Sequence, residues 1–203
     1  MFRSVDPTAL EKSDIYTLLT HTVVPRPIAF VTTLSAQNVL NAAPFSYFTV
    51  HGTKPAVLSI SIGKREGVDK DTAKNIKHTK SFVVHITTEA FIQTINNTSK
   101  FHAPNESEVA IYNLTPIKSD TIKVDGVGEL PVRFECELYD IIPLKHEGVI
   151  TSEIFLGKIN RIHLLKSLGE SLEINPNVLN PVARLGGKTY APLGKPFELK
   201  RPK

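Results

Sequence analysis

Cysteine is nearly absent from this sequence. Cys136 is the only one among 203 residues, which excludes an intrachain disulfide and any zinc knuckle built from several thiolates. It stands in the alternating run VRFECELYD, which reads as a strand, so its expected place is the core and not a nucleophilic site. Long apolar runs are missing as well. None approaches the roughly 20 residues of a membrane helix, and the opening stretch MFRSVDPTALEKSD has no signal-peptide core and carries acids at once. The expectation is a cytoplasmic chain in a reducing compartment, with no membrane association and no glycan on the sequons at Asn96, Asn97, Asn105 and Asn113.

The common catalytic signatures are also lacking. There is no phosphate-loop motif, no G-x-G-x-x-G after a strand (Gly126 and Gly128 form an isolated G-x-G), and no G-x-S-x-G elbow. The histidines His21, His51, His78, His85, His102, His146 and His163 never fall at the spacing that puts two on one metal, so no metal site is expected. His85 and His163 lie inside strand patterns and read as satisfied structural residues.

Hydrophobic residues make up 41% and charged residues 22%, which excludes wholesale disorder and suits one domain over residues 1–203. The net charge is only +4, but residues 61–80 hold Lys64, Arg65, Lys70, Lys74, Lys77 and Lys80 against three acids. So compact a surplus suits a phosphate better than a nucleic-acid duplex. Strand patterns cover Ile28–Leu34, Val39–Ala43, Ala56–Ile62, Ser81–Ile86, Val132–Pro143 and Glu153–Leu165, with a polar SAQN tip joining the first two. Helical patterns are fewer: Asp14–Thr20, Asp71–His78 (with Asp71 suited to capping), Thr88–Asn97 and Glu106–Tyr112. Strands cluster without alternating helices, which favours an antiparallel barrel over a doubly wound sheet.

Four pieces carry chemistry in order: PRPIAFVTT (Pro25–Thr33), NAAPFSYF (Asn41–Phe48), LSISIG (Leu58–Gly63) and KDTAKNI (Lys70–Ile76). In the last, a helix start offers free N–H groups beside the Thr72 hydroxyl and basic side chains, which together can hold a phosphate. Read alone, it is an ordinary capped surface helix with a solvated basic face before it is a phosphate site. In NAAPFSYF, small residues let the backbone approach a flat ring, with Asn41 and Ser46 as side-chain donors. Read alone, it is a turn with aromatics in the core.

These pieces, with ARLGGKTYAPLG at Ala183–Gly194, resemble the flavin reductase-like family of FMN-binding split-barrel proteins, most of all its flavoredoxin-type branch. The resemblance implies a mainly β fold, a six-stranded antiparallel Greek-key split barrel with a few short helices, forming a homodimer around FMN. It implies that Arg26, Pro27 and Ile28 line the flavin, and that Asn41, Ala43, Pro44, Phe45 and Ser46 meet its polar edge near Phe48. Ser61, Lys64, Lys70 and Thr72 would surround the ribityl phosphate, with Asn75 on the same helix and Arg184 and Tyr190 arriving from the C-terminal segment. After Phe48 the run TVHGTKP departs from the family's small polar pattern, and His51 becomes the candidate catalytic residue. The implied activity is hydride transfer from NAD(P)H to FMN, then to flavin, oxygen or a redox partner protein. The alternatives are a non-enzymatic electron-transfer flavoprotein, or a barrel adapted to another ligand or a partner protein.

Overall fold

The computed structural model of the protein describes residues 1–202. Its centre is a seven-stranded sheet of β1 (Ala29–Leu34), β2 (Leu40–Phe45), β3 (Phe48–Thr53), β4 (Ala56–Gly63), β5 (Ser81–Ile86), β6 (Val132–His146) and β7 (Val149–Leu164). The spatial order is β2-β1-β5-β6-β7-β4-β3, and every neighbouring pair is antiparallel. The edge strands β2 and β3 are joined in sequence by Ser46 and Tyr47 alone. So short a link reaches only about 10 Å, and the sheet must therefore curl until its edges meet. The Ser61 N–H donates to the Tyr47 carbonyl at 2.9 Å, which carries the β3–β4 ladder on into that link. Strand β5 returns beside β1, the Greek-key step.

The mainly β antiparallel barrel with short helices is as the sequence implies, with β3 as one strand more. β3 escapes a pattern reading because only Phe48 among its residues is buried and it pairs on one side only. An edge strand with a single inward residue shows no alternation.

Leu58, Ile60 and Ile62 alternate into the core from β4 and meet Phe82, Val84, Phe155 and Val31. Helix α2 (Asp71–Thr79) adds Ala73 and Ile76 to the same cluster. β1 is buried on both faces, since Phe30 joins a second cluster with Ala42, Ile95 and Val109. That cluster lies under α3 (Ile92–Asn97) and α4 (Glu108–Ile111). Cys136 is a fully buried core residue, and burial pushes its thiol up, away from the reactive thiolate.

Two local details shape the region between the barrel and its helices. Asp71 does not cap α2: the N-cap is Lys70, and no side chain accepts from the first turn. A small separate sheet pairs Arg26–Pro27 with Val182–Arg184, and the latter with Tyr190–Pro192, so Arg26 stands opposite Arg184. The PRP and ARLGG segments thus meet in space. No helix among the described residues is long and apolar enough to cross a membrane.

Candidate functional site

Two chambers flank the end of β2. The larger, about 410 Å³, runs from Asn41, Ala43, Pro44 and Phe45 to Lys70 and Thr72 at the start of α2, with the 98–104 segment opposite. The smaller, about 220 Å³, lies between Ile28, Ser46, Asn96, Arg184 and Tyr190. Pro44, Phe45 and Ser99 line both, so they are two halves of one cleft.

A buried polar network forms its floor. The Asn41 side-chain carbonyl accepts from the Thr33 and Thr72 hydroxyls at 3.2 and 3.1 Å. Its amide donates to both oxygens of Glu108, which also accepts the Ala42 N–H at 3.0 Å. Asn75 donates to the Thr33 hydroxyl at 3.1 Å, extending the network along α2. Burial raises the pKa of Glu108, against which the N–H donors and nearby His102 act. The sequence reading missed Glu108 altogether. Its only signal is an acid following Ser107, whose hydroxyl caps α4 by accepting the Ala110 N–H.

The cationic end is sharply divided. Lys64 is drawn away from the cleft into a quartet with Asp69, Glu153 and Lys77, in which Lys77 reaches Asp69 at 2.8 Å and Glu153 at 2.6 Å. Lys70 has no carboxylate partner among the described residues. Partial desolvation and the neighbouring Arg65 lower its pKa. A lone ammonium beside an uncapped helix start is a ready anion site.

At the other end the Arg184 guanidinium stacks 4.4 Å from the Tyr190 ring centroid and donates to Tyr190 Oη and the Gly187 carbonyl. The Tyr190 hydroxyl then donates to Asn96 at 2.7 Å. The glycine pair explains itself here. A Cβ on Gly186 would occupy the His21 imidazole, and Gly187 turns at a φ of 57°. Arg26 does not reach the cleft. It donates to the carbonyls of Thr20, Val23 and Leu185 at 2.7, 2.5 and 2.8 Å, tying α1 (Lys12–Thr22) to the segment that carries Arg184.

The structure therefore brings Ile28, Asn41, Ala43, Pro44, Phe45, Ser46, Lys70, Thr72, Arg184 and Tyr190 to the cleft walls. Arg26, Pro27, Phe48, Ser61, Lys64 and Asn75 line neither chamber. Phe48 is packed in the core, and Asn75 is a second member of the buried network. Ser61 and His51 face a separate apolar groove outside the barrel with Ile142, Ile154 and Leu156, where His51 meets the Ser59 hydroxyl at 2.8 Å. His51 thus stands apart from the cleft.

His85 is satisfied within the fold: Nδ1–H donates to the Phe30 carbonyl at 3.0 Å and Nε2 accepts the Val127 N–H at 2.9 Å. Burial, with help from Arg133, holds its pKa down at about 4. Asp120, Glu135 and His163 converge from distant segments. Burial would raise the Glu135 pKa, but hydrogen bonds from Thr121, the Asp120 N–H and His163 hold it at about 2. With His163 bonded to Glu135 at 2.6 Å, the cluster is a satisfied carboxylate.

Comparison with known proteins gives one answer. The profile of the flavin reductase like domain matches residues 20–180. The chain is 43% identical to YwrF of Bacillus subtilis over 196 residues, which is 95% of this chain and 96% of that one. Nitrilotriacetate monooxygenase component B from Bacillus cereus superposes with a TM-score of 0.95 at 40% identity, covering 98% of this chain and 99% of that one. The 2-nitrobenzoate 2-nitroreductase NbaA of Pseudomonas fluorescens gives 0.88 at 28% identity, over 98% and 96%.

Proposed function

The chain belongs to the flavin reductase-like family, and on that premise we propose that it binds FMN in the double cleft and acts as an NAD(P)H-dependent oxidoreductase. Electrons leave to free flavin, oxygen or a redox partner protein. The observation that carries this is the contrast between the two ends of one cleft. Lys70 and the open N–H groups of α2 form an anion site at one end, and a stacked Arg184–Tyr190 pair stands at the other.

The residues present fit a flavin mononucleotide. A dianionic phosphate matches a lone ammonium and a helix dipole. Between the ends, Ala43 to Ser46 offer a backbone with small or flat side chains for a ring to lie against. The chambers together lie within the about 300–1,000 Å³ that ligand pockets span. Bound flavin supplies reversible two-electron chemistry that no side chain here offers.

The chain's own work is placement and electrostatics. Arg184 holds a fixed positive charge in the smaller chamber, which would stabilise negative charge on a flavin bound there. The Glu108–Asn41–Thr72 network fixes β2 relative to α2, so the ring platform and the phosphate site keep one spacing. His51, outside the cleft, has no part in this reading. One neighbour is named as a component of a monooxygenase and another as a nitroreductase, which supports delivery of electrons onward. The apolar groove beside His51 supports a homodimer, and we place the protein, as one domain, in the cytoplasm.

Steady oxidation of NADH or NADPH with added FMN, above the rate of free flavin, is the expected result. A protein that binds FMN yet shows none is the electron-transfer flavoprotein instead.

A further inference from the structure

The charged Gly63–Asp69 loop is not used by the flavin reading, yet the structure makes it rigid. Arg65 and Val68 exchange backbone hydrogen bonds at 2.9 Å in both directions, and Glu66 and Gly67 between them have φ of 51° and 79°. Two successive residues at positive φ form the tight hairpin turn that matches antiparallel twist, so the backbone at Arg65 is held in place. Its guanidinium lies 5.0 Å over the ring centroid of Phe101, which comes from the opposite wall of the larger chamber. Phe101 is 73% exposed, and Arg65 has no carboxylate partner among the described residues.

Arg65, Lys70 and Lys100 line one chamber with no carboxylate partner among the described residues, and Arg65 is near enough to depress the Lys70 pKa. A single flavin phosphate at Lys70 and α2 does not require Arg65, whose guanidinium already lies over Phe101. An aromatic face paired with a guanidinium is suited to a purine base and its phosphates, because the base stacks on the ring while the planar fork takes phosphate oxygens. Solvent exposure suits a ligand that leaves every turnover. Thr72 and Asn41, by contrast, are buried at the resident end.

We infer that Arg65 and Phe101 form a clamp for the adenosine diphosphate half of the reduced nicotinamide dinucleotide, separate from the flavin phosphate site at Lys70. The inference rests on the flavin reading of the cleft. The test is calorimetric titration of ADP into FMN-loaded protein, for the parent and for Arg65→Ala, Phe101→Ala, Phe101→Tyr and the Arg65→Ala/Phe101→Ala double variant. The parent binds ADP, and each alanine variant weakens it about tenfold, as loss of one stacking partner does. Phe101→Tyr binds as the parent does, and the double variant loses less than the product of the singles because the pair acts as one unit. FMN affinity is unchanged throughout. In turnover, KM for NADH rises with kcat kept, whereas KM for reduced nicotinamide mononucleotide, which lacks the adenylate, does not move.

No ADP binding by the parent, or equal binding by all variants, overturns the clamp and leaves the flavin reading standing. Weakened FMN or FAD affinity with ADP unaffected also overturns it, assigning the pair to the flavin. A chain that takes up no FMN ends the flavin reading. ADP titrated into that flavin-free protein still decides the clamp: binding lost in Phe101→Ala supports it, and none in the parent overturns it.

Discussion

The side-chain amide of Asn41 donates to both carboxylate oxygens of Glu108, at 3.1 and 3.0 Å, across 67 residues of sequence. Both residues are buried, and the Ala42 N–H adds a third donor to the same carboxylate. Glu108→Gln sets an amide NH₂ against these donors and leaves at least one buried group unpaired. The expected cost is about 1–3 kcal/mol of stability, read as a lower urea midpoint with an unchanged slope, together with weaker flavin binding. An unchanged midpoint removes Glu108 as the tie between α4 and the ring platform.

Lys70→Ala takes away the only unpaired ammonium at the start of α2 among the described residues. FMN affinity, followed by quenching of flavin fluorescence, is expected to fall by about 1–3 kcal/mol. Thr72→Val costs less, since its hydroxyl already donates to Asn41. An FMN affinity untouched by Lys70→Ala takes Lys70 out of the site.

His85 is held neutral, its pKa lowered from 6.5 to about 4 by burial and Arg133. The unfolded chain binds this proton below about pH 6.5 while the folded chain does not until about pH 4, so stability falls as pH drops through that window. The loss from this residue is about 3 kcal/mol in all. It is measured as the pH dependence of the urea midpoint, and His85→Gln flattens it. A profile that is flat in the parent between those values contradicts the assignment.

Gly157 has no room for a Cβ, because the Phe82 ring and Cys136 pack against it. Gly157→Ala overpacks the barrel and costs about 1–3 kcal/mol. Cys136→Ser keeps the volume and is expected to leave flavin content and activity normal, measured on purified protein by absorbance and NADH oxidation. Loss of activity in that variant rejects the core role of Cys136.

The barrel is legible in the sequence wherever a strand alternates, as in Leu58, Ile60 and Ile62, or is buried on both faces, as in β1. Phe48–Thr53 is not, because one inward residue makes no period. Asn41, Phe45, Lys70 and Arg184 line the cleft because their motifs stand on elements that converge there. Lys64 and Arg26 line neither chamber for one reason: a cation's address depends on its partners. Lys64 is claimed by Asp69 and Glu153, and Arg26 by three carbonyls, all set by tertiary contacts. Glu108 is invisible because one acid in a loop-to-helix junction has no signature until β2 lies beside it.

The most direct test of the double cleft is equilibrium titration of the flavin-free protein with FMN, monitored by flavin fluorescence and visible absorbance. Saturable binding with a perturbed flavin spectrum, weakened by Lys70→Ala, is the result expected. A protein that leaves the fluorescence and spectrum of FMN unchanged at every concentration contradicts the account.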